Sequence, residues 1–338
     1  MLNDLIKSNE NTIEKFNKNF TNIIKTEKEN NEKLNYLIEN IENTHKENFY
    51  FSDLMLIKEN DKEEINQIKR EILNKTEFAQ PAILLHSYLN YLKFLKEKGN
   101  RENNNNKSFF FGPSLGEIIS LVCANSITLN KAGLLLHRRG KLMQESCPQG
   151  KGAMLNVVGD INKNIILFNK FLEKNENEIE SLKINLSSIM SKRLLVISGA
   201  TDSIEKCRKF FKENSIGCRK LIVSAAFHSD LMKEGSIKFR EYLFDENEEL
   251  FFDFPEVSII STIFPEFIYP IKECRFLNKK EFDKKVKEML VEQFTRKVDL
   301  LDCVRNYVKI NKEIGNGNFE YELYDIIKRK NVDLNEFI

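Results

Sequence analysis

Apolar pairs separated by charged runs fill residues 1–75, as in FTNIIKTEKENNEKLNYLIENIEN, and so narrow a stripe suits helices exposed over most of their surface. The stripe is irregular, which predicts a peripheral helical layer rather than a coiled-coil arm. The next stretch, EFAQPAILLHSYLNYLKFLKEKG, carries an apolar face through Leu84, Leu85, Tyr88, Leu89, Leu92 and Leu95, with Pro81 at the helix start and Gly99 as its stop. The polar run RENNNNK then leads into SFFF, a continuous apolar stretch of the kind buried in the middle of a parallel sheet. GPSLG turns the chain into a helix from Leu115 to about Ala124, and a second helix is predicted from about Thr128 to Glu145.

The pattern changes over residues 151–223. GAMLNVVGD reads as strand, NKNIILFNKFLEKNENEIESL as helix, KINLSSI and RLLVISG as two strands, TDSIEKCRKFFKENSI as helix and CRKLIVS as strand. That order, β-α-β-β-α-β, is the ferredoxin-like unit. After AAFHS the earlier pattern resumes, with FPEVSIIST as a strand, helices around 279–307, VKINKEIG as a strand, Gly315 and Gly317 in a turn, and a last helix. The fold expected is α/β. A parallel-sheet domain of residues 1–150 and 224–338, with 1–50 a divergent helical start, is interrupted by a small α+β subdomain over 151–223.

Composition narrows the function classes. Lys and Arg total 52 against 51 Asp and Glu, so a net charge of +1 gives no global electrostatic reason to expect nucleic acid or an anionic membrane. No apolar run approaches the roughly 18 residues that span a bilayer. The six cysteines (Cys123, Cys147, Cys207, Cys218, Cys274 and Cys303) form no C-x-x-C pair and have no regular spacing. They read as reduced structural thiols, not as a disulfide or zinc framework.

The chemistry concentrates in FFFGPSLGEIIS. Ser114 stands in G-x-S-x-G between an apolar strand and an apolar helix. It reads either as a helix cap or as a nucleophile exposed on a sharp turn, with helix N–H groups facing a developing negative charge. A nucleophilic serine needs a base, and the chain has four histidines. His45 lies in a polar run, and His86 and His137 fall inside helices. His228, in SAAFHSDLM, follows a strand where the chain returns from the interrupting unit, a place where sites concentrate. In HRRGKLMQE, Arg138 reads as solvated charge. Arg139 precedes Gly140, which permits close packing, and a guanidinium aimed at the serine would bind a carboxylate.

GPSLGE with LVCA after it, LHRRGKLMQE, KGAM, LLVISG, VSAAFHS and EIGNG, preceded by LNKTEFAQPAILLHSYL, resemble in that order the malonyl-CoA:acyl carrier protein transacylases of dissociated fatty-acid synthesis. The resemblance runs from about residue 51 to 328. It implies an α/β-hydrolase-like core with an inserted ferredoxin-like subdomain, and ping-pong transfer of malonyl from malonyl-CoA to the phosphopantetheine thiol of acyl carrier protein. Ser114 would carry the malonyl ester and His228, oriented by a main-chain carbonyl, would move the proton. Arg139 would hold the malonyl carboxylate, Leu115 N–H would be an oxyanion donor, and Phe227 would fill the space that a methylmalonyl branch needs. No cofactor, metal, nucleic acid or membrane is implied, and a monomer is expected. Lys131, Arg138, Lys141, Lys220 and Lys233 are candidates for a basic patch facing the carrier. The pathway runs in bacteria, mitochondria and plastids, and an Asn/Lys-rich chain fits an organelle of the apicoplast kind, otherwise the cytoplasm.

The chain departs from the family pattern at several points. The opening strand and the P-G-Q-G-S-Q loop, whose glutamine N–H is the second oxyanion donor, have no counterpart in residues 1–50. Loss of such a donor typically costs about 10²–10³ in rate. Pro113 replaces the usual histidine before the serine, SSIMSKRL replaces N-x-N-S-P-x-Q, and GNG replaces G-P-G. A non-catalytic relative that binds a carrier is one rival reading. A serine esterase is another, but that arrangement needs a histidine near the C-terminus, and none follows His228 in the last 110 residues.

Overall fold

The structure, a computed structural model, describes residues 10–27, 32–45, 51–55, 62–98, 108–176, 182–246, 249–269, 278–314, 322–327, 330–331, 334 and 337. Gly99, Cys274, Gly315, Gly317 and the His45 side chain lie outside the described residues. It is a mixed α/β fold with two five-stranded sheets among the described residues.

The N-terminal helices α1 (Glu10–Glu27) and α2 (Glu32–His45) are more than a peripheral layer. Phe16, Phe20 and Phe51 are fully buried, with the Phe16 and Phe20 rings stacked at 4.6 Å. Phe16 and Phe20 press on Gly133, where a Cβ would come within 2.8 Å of Phe20 Cε2. The irregular stripe concealed this because three large rings do the work of a longer run of small apolar residues.

Helices α3 (Glu63–Leu73) and α4 (Thr76–Lys98) follow. Helix α4 begins before Pro81, which therefore lies inside it rather than at its start. Proline cannot donate to the carbonyl four residues back, which here is Glu77. That carbonyl is taken by His137 Nδ1 at 3.1 Å, from helix α6 (Leu129–Ser146) packed across it. The proline is tolerated because a side chain replaces the missing backbone donor.

Strand β1 (Ser108–Phe111) has the central place its sequence predicted. It pairs in parallel on both sides, and the sheet order is β10, β9, β1, β6, β7. Here β6 is Ser258–Ile260, β7 Ile268–Tyr269, β9 Glu322–Asp325 and β10 Lys330–Asn331. The short helix α5 (Leu115–Cys123) leaves β1 through the glycine-serine turn.

The second sheet is built from β2 (Gly152–Val158), β3 (Ile184–Ser191), β4 (Leu194–Ala200) and β5 (Gly217–Lys220), in the order β5, β2, β4, β3 with every pair antiparallel. Helices α7 (Ile161–Lys174) and α8 (Thr201–Glu213) supply the crossovers. A fifth strand, β8 (Val298–Asp299), joins the free edge of β3 in parallel from far along the chain, so the two halves share a sheet edge.

Two expectations near the C-terminus fail. Within VKINKEIG, Val308–Ile314 are the end of a helix, α11 (Leu300–Ile314), not a strand. Its buried residues Cys303, Val304, Tyr307 and Asn311 follow a 3.6-residue period that the local alternation of Val308, Ile310 and Ile314 hides. Where a last helix was expected, the described residues 322–325 and 330–331 are strands β9 and β10, paired antiparallel. Among the described residues no helix is long and apolar enough to cross a membrane.

Candidate active site

Backbone strain marks the two residues singled out for chemistry. Ser114 has φ 54° and ψ −109°, and His228 has φ 56°. Such conformations cost a non-glycine residue on the order of 1–3 kcal/mol and persist only where the surroundings impose them. Around Ser114 the glycines do so. A Cβ on Gly112 would lie 2.8 Å from Ile326 Cγ2 and 2.9 Å from Gly116 Cα, and one on Gly116 would lie 2.9 Å from Ile327 Cγ1. The G-x-S-x-G spacing is what lets the turn close against the turn that follows β9. Pro113 is accommodated there, its carbonyl accepting from Gly116 N–H at 2.9 Å.

Ser114 and Glu117 also have the letters of a capping box, S-x-x-E. None forms. Ser114 makes no side-chain cap bond, and Glu117 is fully buried. Ser114 Oγ instead accepts from Arg139 Nη2 at 2.9 Å. Leu115, at the first helical position, has an N–H with no acceptor within the helix.

Arg139 is 1% exposed. Helix α6 brings it in by packing on α4 at Gly140, where a Cβ would come within 2.5 Å of the Thr76 carbonyl oxygen. Nη1 donates to Gln80 Oε1 at 2.8 Å and Nη2 also reaches Gln293 Oε1 at 3.4 Å. The guanidinium carbon stands 5.8 Å from the Phe294 ring centre. Nε is buried without a hydrogen-bond partner among the described residues. Burial lowers the pKa of Arg139 to about 9 and the Glu117 charge opposes that shift, so the group is a cation at neutral pH.

His228, 5% exposed, has Nδ1 2.7 Å from the Gln293 main-chain oxygen. A carbonyl only accepts, so Nδ1 carries the hydrogen and Nε2 holds the lone pair. Burial, and then the Arg139 charge, lower its pKa to about 4, leaving a neutral imidazole at pH 7. Phe227, beside it and half-buried, is fixed by Ser198 Oγ donating to its carbonyl at 2.6 Å.

Ser114, Leu115, Arg139 and Gln80 are thus gathered directly, and His228 joins them through Gln293. Sequence reading missed Glu117, Gln80 and Gln293. A lone carboxylate in the apolar helix LGEIISLVC was a readable signal for the first. Gln293, in a turn after helix α10 (Lys279–Glu292), offered none. Of the basic patch candidates, Lys131 bonds the Glu249 carbonyl, Arg138 pairs with Glu246, Lys220 with Glu205 and Lys233 with Asp230. His86 is exposed, and among the described residues no cluster of His, Cys, Asp and Glu could hold a metal ion.

The chain is similar to several proteins named as transacylases. Over 192 residues it is 33% identical to the malonyl CoA-acyl carrier protein transacylase of Bacillus subtilis (strain 168), a match of 56% of this chain and 54% of that one. It spans about half the length of that relative. It is 28% identical over 264 residues to a polyketide biosynthesis malonyl CoA-acyl carrier protein transacylase, PksC, of the same organism, covering 76% of this chain and 80% of the other. In fold it is similar to a malonyl-transacylase solved in complex with its type II PKS acyl-carrier protein, with a TM-score of 0.59 and 24% identity over 82% of this chain and 78% of that chain. The acyl transferase domain model matches residues 4–265, a range that takes in the strained serine, the buried arginine and the histidine, and the chain belongs to that family.

Proposed function

We propose that the protein moves malonyl from malonyl-CoA to the phosphopantetheine thiol of an acyl carrier protein through an ester on Ser114. The observation that carries this reading is the contact of a buried guanidinium with the serine oxygen, 2.9 Å from Arg139 Nη2 to Ser114 Oγ. An esterase acting on neutral acyl groups has no use for a cation there. A malonyl group has a carboxylate two carbons from the carbonyl under attack, and the unspent Nε–H of Arg139 is a donor for it.

In the first half-reaction Ser114 Oγ attacks the thioester carbon and its proton passes to His228 Nε2. The carbonyl oxygen becomes an oxyanion facing the Leu115 N–H, and the C–S bond breaks as the proton is returned to the departing CoA sulfur. In the second half the carrier thiol gives its proton to the same nitrogen, its sulfur attacks the malonyl ester, and Ser114 recovers its hydrogen. His228 is suited to both halves because it is neutral and held by a main-chain carbonyl. Phe227 limits room beside the α-carbon and so favours malonyl over methylmalonyl.

The strand order β5, β2, β4, β3 and the parallel trio β9, β1, β6 support reading residues 151–223 as a ferredoxin-like subdomain inserted in an α/β-hydrolase-like core of 1–150 and 224–338. The same proposal takes the chain to work without a cofactor, as a monomer, in an organelle of the plastid kind or otherwise in the cytoplasm. Intact-mass measurement after brief incubation with malonyl-CoA tests the reaction. A malonyl-sized adduct, absent from Ser114→Ala and weak with acetyl-CoA, is expected. A well-folded chain that takes no adduct would overturn the proposal in favour of a non-catalytic carrier-binding role.

A further inference from the structure

Glu117 lies one helical turn beyond Ser114 and is fully buried. Tyr269 donates to its Oε1 at 2.5 Å, and its Oε2 accepts from Thr262 N–H and Thr262 Oγ1, each at 3.2 Å, and from Gln293 Nε2 at 2.9 Å. Gln293, also fully buried, joins this carboxylate to the rest of the site. Its Oε1 faces Arg139 Nη2 at 3.4 Å, and its main-chain oxygen faces His228 Nδ1 at 2.7 Å. Elementary chemistry fixes which way the amide points. A guanidinium offers only hydrogens and a carboxylate only lone pairs, so the amide NH2 belongs toward Glu117 and its oxygen toward Arg139.

We propose that Glu117 is a positioning residue of the transferase site, its carboxylate holding Gln293 so that one residue sets both the guanidinium beside Ser114 and the imidazole that moves the proton. This rests on the transfer reaction proposed above. Glu117 touches neither Ser114 Oγ nor His228, so it acts through Gln293. The titratable groups facing Arg139 are Glu117 and His228, and those facing Glu117 are Tyr269 and Cys303. Burial pushes the Glu117 carboxyl up while the surrounding donors pull it down, and its charge raises the pKa of Arg139.

Glu117→Gln keeps the volume and removes the charge. Gln293→Leu removes the amide and keeps the main-chain carbonyl. Each is expected to lower kcat/KM for malonyl transfer by about tenfold to a hundredfold, the scale of a hydrogen bond to a charged group. Because both act along one path, the double variant should lose little more than the worse single one. Additive losses would overturn the proposal and leave Glu117 a packing residue.

A second readout does not depend on turnover. With ¹⁵N-labelled histidine, the His228 ring signals should shift in Glu117→Gln and Gln293→Leu alike, while those of His86 and His137 stay in place. Unchanged His228 signals in Glu117→Gln overturn the proposal whatever the transfer assay gives. A wild-type chain that takes no malonyl from malonyl-CoA overturns the transfer reading instead.

Discussion

Arg139 Nη2 donates to Ser114 Oγ at 2.9 Å across 25 positions of sequence, and this contact sets the serine apart from a helix cap. A capping serine would have spent its oxygen on the N–H of the first helical turn. This one is held by a cation in a buried setting, where a charge is costly unless its partners are well placed. Arg139→Met should therefore alter selectivity as well as rate. Malonyl transfer to Ser114 should fall by about a hundredfold to a few thousandfold, the scale on which a buried ionic contact is lost. Acetyl transfer should fall less or rise. Rates of adduct formation with the two CoA thioesters measure the ratio, and an equal loss for both would assign Arg139 to support rather than to carboxylate binding.

In the proposed transfer His228 carries the pH dependence. Its pKa of about 4 places the acid limb of Ser114 acylation well below the ordinary histidine range, so the free enzyme should acylate at full rate at pH 6. The same shift bears on stability. Between about 6.5 and 4 the unfolded chain takes up a proton on this residue that the folded chain refuses, so stability is lost as pH falls through that window. The slope from this group is on the order of 1.4 kcal/mol per pH unit. Urea unfolding at pH 7 and pH 5 should show the loss in the native chain, and His228→Asn should be less sensitive by about that amount.

The residues of the candidate site were legible wherever local grammar enforces them. A glycine-serine turn after an apolar strand, a histidine after AAF and an arginine before a helical glycine each restrict the backbone within a few residues. The parallel position of SFFF and the order of elements over 151–223 were legible for the same reason. Long-range contacts were not. The helical start read as a peripheral layer because Gly133, against which Phe16 and Phe20 pack, lies far along the chain, and β8 was invisible because a two-residue strand has no pattern before its partner is in place. Gln293 is the clearest case. Its functions are a side-chain bridge and a main-chain carbonyl, and the second of these leaves no mark in any sequence.

Gly140 links the fold to the chemistry, and its replacement should separate the two. The Thr76 carbonyl carbon and oxygen would lie 2.7 and 2.5 Å from a new Cβ, and both belong to the first turn of α4, which cannot rotate away as a side-chain tip could. Gly140→Ala must push α6 off α4. Overpacking of this kind costs about 1–3 kcal/mol, visible as a lower urea midpoint. Arg139 is the preceding residue and Gln80, its partner at 2.8 Å, is on α4, so the same displacement opens the guanidinium's anchoring bond. Malonyl transfer should therefore fall beyond what the folded fraction explains, while Gly150→Ala, at a position with open space around it and φ 87°, should destabilise without touching the site. If Gly140→Ala lowered activity only in step with the folded fraction, the close crossing of α4 and α6 would be a packing feature and not the device that aims Arg139.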